Sequence, residues 1–102
     1  MADLDPVIHQ PIRLRIMACL VALKPKEQVD FTHLKKLLDV TDGNLGAHII
    51  KLEEAGYIIA DKTFVGRKPK TFLSATNRGK SAFEEHVRAL EQIIGESVRP
   101  GG

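Results

Sequence analysis

The chain has 102 residues, 15 Lys and Arg against 13 Asp and Glu, 43% hydrophobic residues, no Trp and one cysteine. That length predicts a single domain spanning 1-102, with an aliphatic core and a thin stability margin. The composition excludes a disordered chain, a lone Cys19 excludes an internal disulfide, and no apolar run approaches the ~18 residues of a membrane span. Nor do the opening residues, with Asp3, Asp5 and Pro6, resemble a signal peptide. A cytoplasmic protein is the expectation.

Asp5-Pro6 reads as a helix start, Asp at the N-cap and Pro at the first helical position. Pro11 then predicts a kink or a restart. Ile12, Ile16, Cys19, Leu20 and Leu23 recur at helical spacing, with Arg13 and Arg15 expected off that stripe, until Lys24-Pro25-Lys26 ends the helix. Cys19 on the stripe reads as core packing rather than a redox switch. Val29 is a candidate for a very short strand. Asp30 caps a second helix with Phe31, Leu34, Leu37 and Leu38 on one face.

After the turn Asp39-Val40-Thr41, a third helix carries Leu45, Ile49 and Leu52 at i, i+4, i+7. Gly56 predicts its left-handed stop. Tyr57 to about Phe64 is strand-prone, Val65 to Pro69 reads as a turn, and Thr71 to Ser74 as the return strand. The last helix, capped by Thr76, is expected from about Asn77 to Glu96. Its residues Phe83, Val87, Leu90 and Ile94 have the spacing of a heptad seam. Within the domain this gives a core over 5-75, a terminal helix over 76-96 and a fraying tail over 97-102.

Charge is unevenly placed. Lys62, Arg67, Lys68, Lys70, Arg78 and Lys80 fall in one stretch with no acid among them, whereas residues 81–102 carry four Glu and two Arg. Such a basic block points to a polyanionic partner, although a solvated loop is the plainer explanation of a charge run. Nothing indicates an enzyme. Gly43 and Gly46 make no phosphate loop, and the four histidines lack metal-ligand spacing, so no cofactor or metal is expected. His86 offers at most an interchain site on the last helix.

The ordered set "KLEEAGYI", a basic hairpin and "ATNRGKSAF", preceded by "LDPVIHQPIRLRIMACL", resembles the winged helix-turn-helix regulators of bacteria and archaea. It is most similar to the small MarR- and ArsR-related groups, over roughly residues 4 to 95. The fold class implied is mostly α with a small β-hairpin wing, closed by a long C-terminal dimerisation helix. The function implied is a homodimeric transcriptional regulator of double-stranded DNA. Its third helix would lie in the major groove, with its wing against the backbone or minor groove.

On that reading Asn44 is the best candidate for reading a base, Lys51 suits a phosphate, and Thr41 is foremost an N-cap. Ala47 can meet a thymine methyl, and His48 is either a contact or a half-buried structural histidine. Lys62, Arg67, Lys68 and Lys70 would supply the wing. Phe83, Val87, Leu90 and Ile94 would form the dimer interface or pack on the first helix. Any small-molecule effector would sit between the first and last helices or at the dimer seam. The alternative is a winged-helix protein-protein interaction module without DNA binding, docking through Gly46, Ala47 and Ile50.

Overall fold

A computed structural model describes residues 3–98. The elements run α1 (Pro11–Val21), β1 (Val29–Asp30), α2 (Phe31–Leu38), α3 (Asp42–Glu54), β2 (Ile58–Val65), β3 (Lys68–Ala75) and α4 (Asn77–Val98). The expected fraying of the tail falls largely on residues outside the described ones. The last helix continues to Val98, beyond the expected end at Glu96.

Asp5-Pro6 does not open α1. Residues 6–9 form one isolated turn, closed by the His9 N–H donating to the Asp5 carbonyl at 2.8 Å. The Asp5 carboxylate accepts from the Val7 and Ile8 N–H groups at 2.8 and 3.1 Å, so it caps that turn. The helix restarts at Pro11, where Gln10 Oε1 accepts from the Arg13 N–H at 3.0 Å. Pro11 donates no N–H, which the first turn of a helix tolerates.

Helices α1, α2 and α3 pack around Ile16, Met17, Leu20, Leu34, Leu38, Leu45, Ile49 and Leu52, with Ile58 and Leu73 from the sheet and Ile8 from the first turn. Cys19 packs against this cluster. Two expectations about faces fail. Leu37 is 56% exposed, because Leu34 and Leu38, with Phe31 packed against the same core, fill the inward side of a helix only eight residues long. Arg13 is not off the stripe: it precedes Ile16, Met17 and Leu20 by three, four and seven residues, is half-buried, and has its Nε shut from solvent.

The turn between α2 and α3 holds Asp39 at φ +54, with its N–H and that of Val40 donating back to Lys36 and Lys35. Thr41 then caps α3, its Oγ1 accepting from the Asn44 N–H at 3.1 Å. At the far end Gly56 sits at φ +78. The Tyr57 N–H reaches the Leu52 carbonyl and the Gly56 N–H that of Glu53, the paired bonds of a Schellman stop.

The sheet is antiparallel with order β1-β3-β2. The hairpin turn is only Gly66 and Arg67, not the five residues expected, since Val65 pairs with Lys68 and Phe64 with Pro69. Gly66 takes φ +65 at the first central position of this tight turn. Pro69 is tolerated because β1 pairs only with Leu73 and Phe72, leaving the outer edge of β3 open at that point.

Thr76 ties α4 to the α3–β2 corner. Its hydroxyl donates to the Gly56 carbonyl at 2.7 Å and accepts from the Gly79 N–H at 2.9 Å. Gly79 lies so close to Tyr57 that a Cβ there would be 2.0 Å from the Tyr57 carbonyl oxygen. The run Thr76-Asn77-Arg78-Gly79 is thus a joint between elements. Beyond it, α4 runs 22 residues, ~33 Å, and leaves residues 91–96 exposed. The radius of gyration is 15.5 Å, against about 13 Å for a compact chain of this length.

Candidate nucleic-acid interface

Helix α3 turns Leu45, Ile49 and Leu52 inward, which leaves Thr41, Asp42, Gly43, Asn44, Ala47, Ile50 and Lys51 exposed. The outward line Gly43, Ala47, Ile50 is small or apolar, and ideal Cβ atoms built on Gly43 and Gly46 meet nothing within 4 Å. Nothing on this face prevents another surface from approaching the helix backbone. Thr41 holds the N-cap and Asn44 stands one turn beyond it, its side chain exposed. Lys51 occupies the last turn. Asp42 is engaged with Lys35 of α2 at 2.7 Å, which partly offsets its negative charge at the helix N-terminus.

His48 is half-buried on the flank of α3. Burial pushes its pKa below the usual value, and the Arg13 guanidinium nearby adds to that. His48 is therefore neutral near pH 7, fit to donate or accept one hydrogen bond but not to act as a cation.

The hairpin supplies the charge. Residues 61–69 are all exposed, so the end of the hairpin stands clear of the core. Strand register sorts its cations. Residues that pair across an antiparallel ladder share a face, and faces alternate along each strand. Lys62 pairs with Thr71 and belongs with Phe64 and Pro69; Lys68 and Lys70 lie on the other face, with Thr63 and Val65. Arg67 occupies the turn. Lys70 is half-buried and donates to the Asp30 carboxylate at 3.2 Å, across from β3 to β1. Asp30 also caps α2 through the Thr32 N–H, and chiefly that bond lowers its pKa, against some burial and with help from Lys70. Arg67, Lys68 and Lys62 form no ion pair among the described residues. The four expected wing cations are thus not one cluster: two crown the turn, one lies on each side below it, and Lys70 is already neutralised.

On α4 the expected seam is divided. Phe83 packs against the core cluster, Val87 and Leu90 are half-buried, and Ile94 is 60% exposed. The α4 residues that are fully buried are instead His86 and Ala89, and Ala82 packs beside Phe83 against the core cluster. His86 is 1% exposed, so it is not open to an interchain site on the last helix. Its Nδ1 accepts from the Asp5 N–H at 3.0 Å, while Nε2 is buried without a hydrogen-bond partner among the described residues. The Tyr57 hydroxyl donates to the second Asp5 oxygen at 2.5 Å. Sequence reasoning missed this Asp5–Tyr57–His86 cluster, because its members lie far apart in the chain. Among the described residues no three His, Cys, Asp or Glu side chains gather as a metal-binding group, and no helix is long and apolar enough to cross a membrane.

This geometry has known counterparts. A family profile described as a winged helix DNA-binding domain matches residues 12–94. An uncharacterized protein of Methanocaldococcus jannaschii is 34% identical over 87 residues, covering 85% of this chain and 91% of that one. Among solved structures, a transcriptional regulator homologue from Pyrococcus horikoshii is 30% identical with a TM-score of 0.80, covering 90% of this chain and 88% of that one. The regulator MarR is 21% identical, with a TM-score of 0.65 over 83% of this chain and 61% of that one, a likeness of fold.

Proposed function

The chain belongs to the winged helix DNA-binding domain family, and from that premise we propose that it is a homodimeric regulator that grips duplex DNA chiefly through its wing. That it is a DNA-binding transcriptional regulator rather than an enzyme follows from the family and from its Pyrococcus horikoshii neighbour. The single observation that carries the finer reading is the pair Arg67 and Lys68, without an ion-pair partner among the described residues, at the turn of a hairpin that projects from the core.

Helix α3 enters the major groove with its N-terminal end. Its small outer residues let the backbone come close, Asn44 reads a base, Ala47 meets a thymine methyl, and Thr41 caps. His48 contributes one neutral hydrogen bond. Lys51 takes a phosphate. On the wing, Arg67 and Lys68 contact backbone or minor groove, and Lys62 adds a flanking phosphate; Lys70 mainly braces the hairpin through Asp30. Base reading by α3 is modest, so DNA shape carries part of the preference.

Two chains join through the outer part of α4, where Val87, Leu90 and Ile94 present apolar surface beyond the core. Any effector would lie beside that seam. The test is sedimentation equilibrium of the protein alone and with a duplex from its own upstream region or a scrambled duplex. The reading predicts a dimer that binds one native duplex in preference to the scrambled one. A monomer that binds neither would overturn it and turn attention to protein docking at Gly46, Ala47 and Ile50.

A further inference from the structure

The most exposed large apolar side chain in the described structure is Phe64, at 71%, and Val65 beside it is 52% exposed. Both stand at the end of the hairpin, among the same residues that carry its free cations. An exposed aromatic ring at a projecting tip costs solvation and contributes nothing to the core. It pairs across the strands with Pro69, so the two form one apolar edge on the face that also carries Lys62 and Thr71. Arg67 and Lys68 follow within four residues.

We propose that Phe64 and Pro69 form an apolar wedge that enters the minor groove of duplex DNA and lodges against a base step, with Lys62 and Arg67 holding the phosphates on either side. This rests on the DNA-binding reading and adds a specificity element to it. Charge decides the occupant. A protein partner covering the ring would have to desolvate Lys62, Arg67 and Lys68, whereas a polyanion matches all three while the ring meets sugar and base edges. Reach is sufficient: from Asp61 to Val65 the strand advances about 13 Å, and the groove is about 7.5 Å deep. Apolar side chains such as Phe and Pro are known to unstack a step and bend the duplex, most easily at flexible pyrimidine–purine steps. The wedge therefore favours sites with a TA step under the wing.

The chain has no Trp, which makes Phe64→Trp a reporter at a single position. Its emission should be quenched and shifted on adding a duplex with 2-aminopurine at the TA step, and the 2-aminopurine signal should rise as that step opens. Phe64→Ala should bind the same duplex about tenfold more weakly with an unchanged salt slope, and should lose preference for the TA step. Circular dichroism of both variants verifies the fold, which an exposed position should not disturb. If the wild type binds DNA but Phe64→Ala binds equally well, or the Trp emission does not change, the wedge is wrong and the DNA reading stands. If the wild type binds no duplex, both fall.

Discussion

His86 is the residue whose chemistry the fold constrains most. Its Nδ1 is an acceptor for the Asp5 N–H, so the ring must be neutral with the proton on the buried Nε2. Protonation would set two donors face to face. Burial pushes its pKa below the usual 6.5, Asp5 pulls it back up, and His9, with its ring 6.2 Å away, pushes it down again. Asp5 is itself held below the ordinary carboxylate range: burial would raise it, but the Tyr57 hydroxyl and the Ile8 and Val7 N–H groups prevail. Tyr57 is pushed up to about 12 by burial and by Asp5, so it stays a donor at any working pH. For His86 the unfolded chain binds more protons between its depressed folded pKa and 6.5, so its contribution is whole above 6.5 and is lost as pH falls below it. The Asp5 contribution persists until pH falls below about 4. A melting curve series should therefore show Tm declining from pH 7 to 5, and His86→Phe should flatten that decline. A Tm independent of pH over this range in the wild type would contradict the buried neutral histidine.

At the scale of elements, what was legible in the sequence was whatever has a local cause. The Thr41 cap, the Gly56 stop and the stripe Leu45, Ile49, Leu52 each follow from neighbours in the chain, and each stands as expected. The hairpin was visible, but its turn was overestimated, because Pro69 reads as a turn residue until the open edge beside it is known. Asp5-Pro6 has every mark of a helix start, yet it closes one turn only, since Pro11 restarts the chain behind Gln10. The division of α4 was not legible: a heptad at 83, 87, 90 and 94 fits a partner helix equally well as the chain's own core. The tightest joint is Gly79 against Tyr57. Gly79→Ala must move the α4 N-terminus off the α3–β2 corner and should destabilise the protein by about 1–3 kcal/mol. Urea unfolding measures this, and a loss below about 0.5 kcal/mol would show that the corner yields.

Taken whole, the molecule is elongated, with extents of 62 × 26 × 22 Å. Two features reach beyond the packed core: the hairpin, basic and apolar at its turn, and the outer turns of α4, with Ile93 and Ile94 exposed. In the proposed function the hairpin meets a polyanion and the outer turns of α4 meet a second chain, which together would give a dimer presenting two wings. The measurement that tests this most directly is fluorescence anisotropy with the native duplex across a salt series, for the wild type and the Arg67→Ala, Lys68→Ala double variant. Each phosphate engaged contributes ~0.9 to the slope of log K against log salt. The account predicts a steep slope for the wild type, and for the double variant a sharply weaker affinity with a slope flatter by roughly two to four, since the proposed dimer would lose two cations from each of two wings. Equal affinity and slope for the two proteins would contradict it.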